Sequence, residues 1–148
     1  MKILVIHGPN LNMLGKRDKS IYGEKTLGEI DALLKKEAQA LGVEVVTFQS
    51  NHEGSLIDFI QEQSHSAQGI IINPGALTHY GLSLLDALVD SKLPVIEVHL
   101  SDIYHREEWR AKSVIAPIAE NQIVGSGWRG YIIALQTLTG RLKAKPSR

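Results

Sequence analysis

The stretch Lys2-Ile3-Leu4-Val5-Ile6-His7-Gly8-Pro9-Asn10-Leu11-Asn12-Met13-Leu14-Gly15-Lys16-Arg17, closing on Tyr22-Gly23, decides the fold. Lys2–Ile6 is an apolar run without alternation, the pattern of a strand buried on both faces. It passes directly into a long polar loop. Gly8, Pro9, Gly15 and Gly23 mark turns there. Asn10, Asn12, Arg17 and Tyr22 in the same loop can do chemistry. Long loops in compact domains are uncommon and are usually functional or disordered. We read this one as an active-site loop in which Arg17 and Tyr22 work as a pair.

The remainder of the chain repeats the opening. Thr26-Leu27-Gly28-Glu29 is a capping box, and Leu27, Ile30, Leu34, Ala38 and Leu41 form one helical stripe ending before Gly42. Val43–Phe48 reads as strand two, and Leu56, Ile57 and Ile60 as a short helix to about Ser64. Gly69–Ile72 is strand three. Leu82–Val89 is a helix that Pro94 keeps from continuing, and Pro94–Val98 is strand four. Asn121–Val124 is strand five, and Gly125–Gly130 turns into a last helix reaching about Lys143. The basic tail Lys143–Arg148 is expected to fray. Strands alternating with helices imply a parallel sheet covered on both faces. We therefore expect a single flavodoxin-like α/β domain over residues 1–148, a three-layer sandwich with five parallel strands in the order 2-1-3-4-5.

Composition narrows the function. The 148 residues include 16 Lys plus Arg and 16 Asp plus Glu. That balance argues against a general nucleic-acid or anionic-membrane binder. No apolar stretch approaches the ~20 residues that cross a bilayer. Met1-Lys2-Ile3 leads straight into a strand, so no signal peptide and a cytoplasmic location are expected. The absence of cysteine removes disulfides and thiolate chemistry. The six histidines show no metal-ligand spacing. Gly125-Ser126-Gly127-Trp128-Arg129-Gly130 matches a nucleotide-binding glycine pattern. It lies too near the C-terminus for a following βαβ unit, so we read it as a tight turn that packs a helix.

In a doubly wound sheet, ligands bind beyond the carboxyl ends of the strands. Polar clusters follow strand one (Asn10 to Tyr22), strand two (Gln49 to Glu53), strand three (Asn73 to His79) and strand four (His99 to Arg110). They should converge on one rim. A guanidinium beside a tyrosine favours the phenolate, a usable base. Spacing alone leaves Arg17 and Tyr22 open, since a surface arginine and a half-buried tyrosine would give the same letters. His99 stands at a strand end with Glu97 on the same strand face, where a carboxylate would orient or charge the imidazole. A core histidine satisfied by backbone would also fit. Asn73-Pro74-Gly75 with Thr78-His79 offers amide groups that can hold an anion, or simply a β-turn. Ser101 adds a hydroxyl and a backbone N–H. Asp86 is a surface charge or a contact to a partner subunit. Arg106 and Arg110 are four apart, neighbours on one helical face. For Arg106 we favour ion pairs with Glu107 and Glu108, and for Arg110 an anion.

Together these motifs resemble the type II 3-dehydroquinate dehydratases. The resemblance rests on Gly8-Pro9-Asn10-Leu11-Asn12 with Leu14-Gly15, Arg17 and Tyr22-Gly23; on Gln49-Ser50-Asn51-His52-Glu53-Gly54; and on Asn73-Pro74-Gly75-Ala76 with Thr78-His79. It continues through Glu97-Val98-His99 with Ser101, Arg106-Glu107-Glu108 with Arg110, and Gly130-Tyr131. It implies a flavodoxin-like fold and the dehydration of 3-dehydroquinate to 3-dehydroshikimate through an enolate, in the shikimate pathway, with no metal or other cofactor. By that resemblance Tyr22 is the base, Arg17 promotes it, Asn10 helps hold the enolate and His99 is the acid oriented by Glu97. Asn73, Leu100 and Ser101 would hold the substrate carboxylate, and His79 and Arg110 the ring hydroxyls. Asp86 would reach in from an adjacent subunit of a homododecamer built from trimers. Tyr80-Gly81 and Leu85 depart from the residues usual in the family near that contact. Quinate breakdown by the same reaction, or a nucleotide-binding module on the same fold, are the alternatives.

Overall fold

A computed structural model describes residues 1–144 of the chain. Five parallel strands, β1 (Lys2–His7), β2 (Glu44–Gln49), β3 (Gly69–Asn73), β4 (Val95–His99) and β5 (Asn121–Val124), form one sheet ordered β2-β1-β3-β4-β5. This is the expected flavodoxin-like order. The helices are α1 (Lys19–Tyr22), α2 (Leu27–Leu41), α3 (Glu53–Gln63), α4 (Leu82–Ser91) and α5 (Arg129–Lys143). Successive β1 residues point to opposite faces. Ile3 and Val5 join the core under α2 and α5, whereas Leu4 and Ile6 join the core under α3 and α4. Ile3 through Ile6 are fully buried, as a central strand with both faces covered requires.

Local signals set most element ends. Thr26 caps α2 by accepting from the Glu29 N–H, and Glu29 accepts from the Thr26 N–H in return. Gly42 follows α2 at φ 73°. Residue boundaries moved at several strands. β1 runs on to His7, β2 and β4 each sit one residue later than expected, and β3 includes Asn73. Thus His7 and Asn73, expected as loop residues, are paired strand residues. α4 stops at Ser91 because Lys92 takes a left-handed conformation (φ 58°), so Pro94 is not what ends it. The expected fraying of the C-terminal tail concerns residues that, beyond 144, lie outside those described.

The loop after β1 also differs from expectation. It holds a 3-10 turn, Leu11–Met13, and the one-turn helix α1, so Tyr22 closes a helical turn. Asp18 caps α1 by accepting from the N–H of Ser20. Leu11 and Leu14 are buried in the core under α2, which pins the loop to the domain. Polar letters dominate this stretch, yet two apolar anchors decide its path. Gly8 is required at its start, because a Cβ there would lie 2.3 Å from the Pro74 carbonyl oxygen. The loops after β1 and β3 are packed backbone to backbone.

Candidate active site

The carboxyl ends of β1, β3 and β4 surround a cleft that is open to solvent. Nine of the eleven residues singled out from sequence line it: Asn10, Arg17, Tyr22, Asn73, His79, His99, Leu100, Ser101 and Arg110. The parallel sheet brings them together because every strand delivers its following loop to the same edge. Asn10 is held in the left-handed region at φ 71°, a conformation asparagine tolerates. Its N–H donates to Asn51 Oδ1 at 2.9 Å. Gln49 donates to the Gly8 carbonyl at 3.2 Å. The cluster after β2 therefore braces the first loop and lines none of the cleft, contrary to the expected convergence of all four clusters.

Arg17 and Tyr22 are a pair in space. The guanidinium carbon lies 3.7 Å from the centre of the half-buried phenol ring. Arg106 approaches the same ring at 5.2 Å and donates to Ser101 Oγ at 3.1 Å. Two permanent positive charges thus sit against one phenol.

His99 is 5% exposed and stands on β4 beside the fully buried Glu97. Its Nε2 meets Glu97 Oε2 at 2.5 Å. Thr78 donates to the same oxygen. Ser113 donates to the carboxylate at 2.9 Å, and Gln122, the register partner of Glu97 on β5, donates to Oε1 at 3.1 Å. Burial, the largest single influence, pushes the Glu97 carboxyl upward. The hydrogen bond and charge of His99, with the hydroxyls of Thr78 and Ser113, outweigh it and hold the group below the usual carboxylate range. Glu97 is therefore an ionised acceptor behind the cleft rather than a wall of it.

His79 Nδ1 donates to the Lys112 carbonyl at 2.7 Å, leaving its Nε2 as the nitrogen free for a ligand. Asn73 Oδ1 accepts from the Gly75 N–H at 3.1 Å, so its amide nitrogen is the end left for the cleft. Arg110 pairs with Glu107 at 3.1 Å and also lines the cleft. Asp86 is exposed on α4 and does not line this cleft. Among the described residues, no three His, Asp or Glu side chains gather so as to hold a metal ion.

Known proteins can now be set against this geometry. The sequence model of the family described as "Dehydroquinase class II" matches residues 1–139. The chain belongs to the class II dehydroquinases. It is 63% identical over 140 residues to the 3-dehydroquinate dehydratase of Roseiflexus castenholzii, covering 95% of this chain and 89% of that one. The corresponding enzyme of Halothermothrix orenii is 51% identical, covering 96% of each chain. Among solved structures, the type II dehydroquinase from Butyrivibrio crossotus superposes with a TM-score of 0.90 at 48% identity, over 93% of this chain and 97% of that one. The enzyme from Propionibacterium acnes gives a TM-score of 0.90 at 38% identity, over 94% and 96%.

Two features of this class II dehydroquinase site escaped the sequence reading. Arg106 lines the cleft and does more than pair with Glu107, which it meets at 3.6 Å. It does not share a helical face with Arg110, because the segment is two 3-10 turns, Ile103–His105 and Glu108–Ala111, broken between them. The second omission is the set of hydroxyls and amide around Glu97. Only Thr78 belonged to a named motif, and nothing in local spacing pointed to Ser113 or Gln122.

Proposed function

We propose that the cleft dehydrates 3-dehydroquinate to 3-dehydroshikimate, with the roles that membership of the family suggests for these residues. The observation that carries this reading is the placement of Arg17 and Tyr22 in one cleft with a carboxylate-backed His99. The reaction removes a proton from the carbon beside a ketone and expels a hydroxyl from the next carbon. It needs a base, an acid and donors for the enolate oxygen. Tyr22 as phenolate takes the proton, and the Arg17 guanidinium stabilises negative charge on the ring oxygen. Asn10, at the mouth of the same loop, helps hold the enolate. His99 gives its proton to the departing hydroxyl, with Glu97 steadying the imidazolium. The Asn73 amide, the Leu100-Ser101 backbone and the Ser101 hydroxyl hold the carboxylate, and His79 and Arg110 the ring hydroxyls.

The same step serves the shikimate route to aromatic compounds and the breakdown of quinate, and one site suits both. We also place the enzyme in the cytoplasm as a homo-oligomer, a dodecamer of trimers. No helix among the described residues is long and apolar enough to cross a membrane. Leu82, Asp86 and Val89 lie on one stripe of α4, and Leu82 and Val89 are 61% and 50% exposed. Such a face suits a neighbouring subunit, from which Asp86 would reach the adjoining cleft.

The direct test adds 3-dehydroquinate to the purified protein and follows the ultraviolet absorbance of the conjugated enone. Tyr22→Phe and Arg17→Ala should each lower kcat by about 10²-fold or more with the fold retained by circular dichroism. Full turnover in either variant would remove the assigned pair.

A further inference from the structure

Behind Asn73 lies a chain of buried polar groups that the proposed reaction does not use. His7, at the end of β1, is fully buried, and both of its ring nitrogens are engaged. Nε2 meets Asp31 Oδ1 of α2 at 2.8 Å, and Nδ1 meets the Tyr131 hydroxyl of α5 at 2.9 Å. Tyr131 is also fully buried, and the Asn73 side chain faces its hydroxyl. His7 and Asn73 are register partners on β1 and β3, and the Gly8 N–H donates to the Asn73 carbonyl at 2.8 Å.

With the imidazole neutral, every direction in this chain follows. A carboxylate can only accept, so Asp31 takes the Nε2–H of His7. Nδ1 is then a lone pair, and the Tyr131 hydroxyl donates to it. Burial pushes that hydroxyl well above its ordinary value, so it keeps its proton. The tyrosine oxygen is left with lone pairs only, and the Asn73 amide nitrogen is the group that faces them. At the other end of the amide, Oδ1 is taken by the Gly75 N–H. The asparagine therefore cannot flip without putting two acceptors together at Tyr131 and two donors together at Gly75. Its second N–H remains for the cleft. A flipped amide would present an oxygen there and repel an anion.

We propose that His7 and Tyr131, aligned by Asp31, are positioning residues that lock the Asn73 side chain with its N–H toward an anionic substrate group. The proposal rests on the reading that Asn73 holds the carboxylate of 3-dehydroquinate. The wild-type assay tests that reading by itself, so a chain inactive on this substrate sinks the reading before any variant is made.

Tyr131→Phe keeps the ring and deletes the acceptor. One hydrogen bond in this setting corresponds to a rise in KM of about three- to tenfold, with kcat within about twofold. The same change made in an Asn73→Ala background should raise KM no further, because there is no amide left to orient. His7→Asn retains an acceptor near the Nδ1 position and should hold KM within about twofold of wild type. His7→Leu should reproduce Tyr131→Phe. A purely structural role would give equal penalties with and without the Asn73 amide. That outcome, or an unchanged KM in Tyr131→Phe, overturns the proposal. If Tyr131→Phe and His7→Leu do not fold, Asp31→Ala replaces them. Asp31 is partly exposed, and its loss frees the imidazole to adopt the other tautomer. It should raise KM only while Asn73 is present, and an equal rise in both backgrounds would again refute the idea.

Discussion

Thr78→Val isolates one donor of the Glu97 cage. Thr78 is fully buried, and valine matches its shape, so no cavity forms and the hydroxyl alone is lost. Glu97 keeps His99, Ser113 and Gln122 as donors. A hydrogen bond to a charged group contributes about 1.5–3 kcal/mol. Losing it raises the folded-state carboxyl value back toward the ordinary carboxylate range. For a chain of this length each kcal/mol moves Tm by about 2–4 °C, so Tm at pH 7 should fall by about 3–12 °C.

The sign with pH follows from the depressed Glu97 carboxyl. Its stabilisation is fully present above the unfolded-state value of about 4.3 and is lost as pH falls through the lower folded-state value. In Thr78→Val that loss is complete at a higher pH, because the folded-state value is less depressed. Below both values the carboxyl is neutral in either protein, and the penalty shrinks to that of an ordinary hydrogen bond, about 1 kcal/mol. Urea titrations of both proteins at pH 7 and in acid, at one protein concentration because assembly shifts apparent stability, give the difference directly. An equal penalty at both pH values, or less than about 0.5 kcal/mol at pH 7, would show that Thr78 does not support an ionised Glu97.

Three further outcomes follow. Gly8→Ala would drive a methyl into the Pro74 carbonyl, which no side-chain rotation relieves, so it should cost about 1–3 kcal/mol or more in a denaturant titration and lower activity by separating Asn10 from Asn73. Stability equal to wild type would show that the two loops are not held together there. Arg106→Leu should slow turnover while leaving Tm nearly unchanged, since the guanidinium faces the Tyr22 ring and Ser101 in the cleft; unaltered kcat and KM would return Arg106 to a surface ion pair. Leu82→Asp combined with Val89→Asp should give a smaller assembly by light scattering, whereas an unchanged mass would place the subunit contact away from α4.

Much of the site was legible because a parallel sheet sends each strand's following loop to one edge. Once Lys2–Ile6, Gly69–Ile72 and Pro94–Val98 are read as strands, Arg17, Tyr22, Asn73 and His99 have to meet. Glu97 was legible from the two-residue repeat of a strand, which put it on the face of His99. Arg106 was misjudged because helical spacing was applied to a segment that folds as two separate 3-10 turns. Leu11 and Leu14 were overlooked as anchors because the surrounding letters are polar.

The strand and helix alternation, the sheet order and most residues of the cleft rim were determined by the sequence alone. Each follows from a local period or a chirality rule that acts over a few residues. The contacts that orient the rim were decided only in three dimensions. Asp31, Tyr131, Ser113 and Gln122 lie 24 and 124 residues from His7, and 16 and 25 from Glu97, respectively. No period links such positions. Close packing of α2 and α5 on the sheet, of β5 beside β4, and of the segment carrying Ser113 against Glu97 is what brings those polar atoms within hydrogen-bonding distance of groups too buried for water to satisfy.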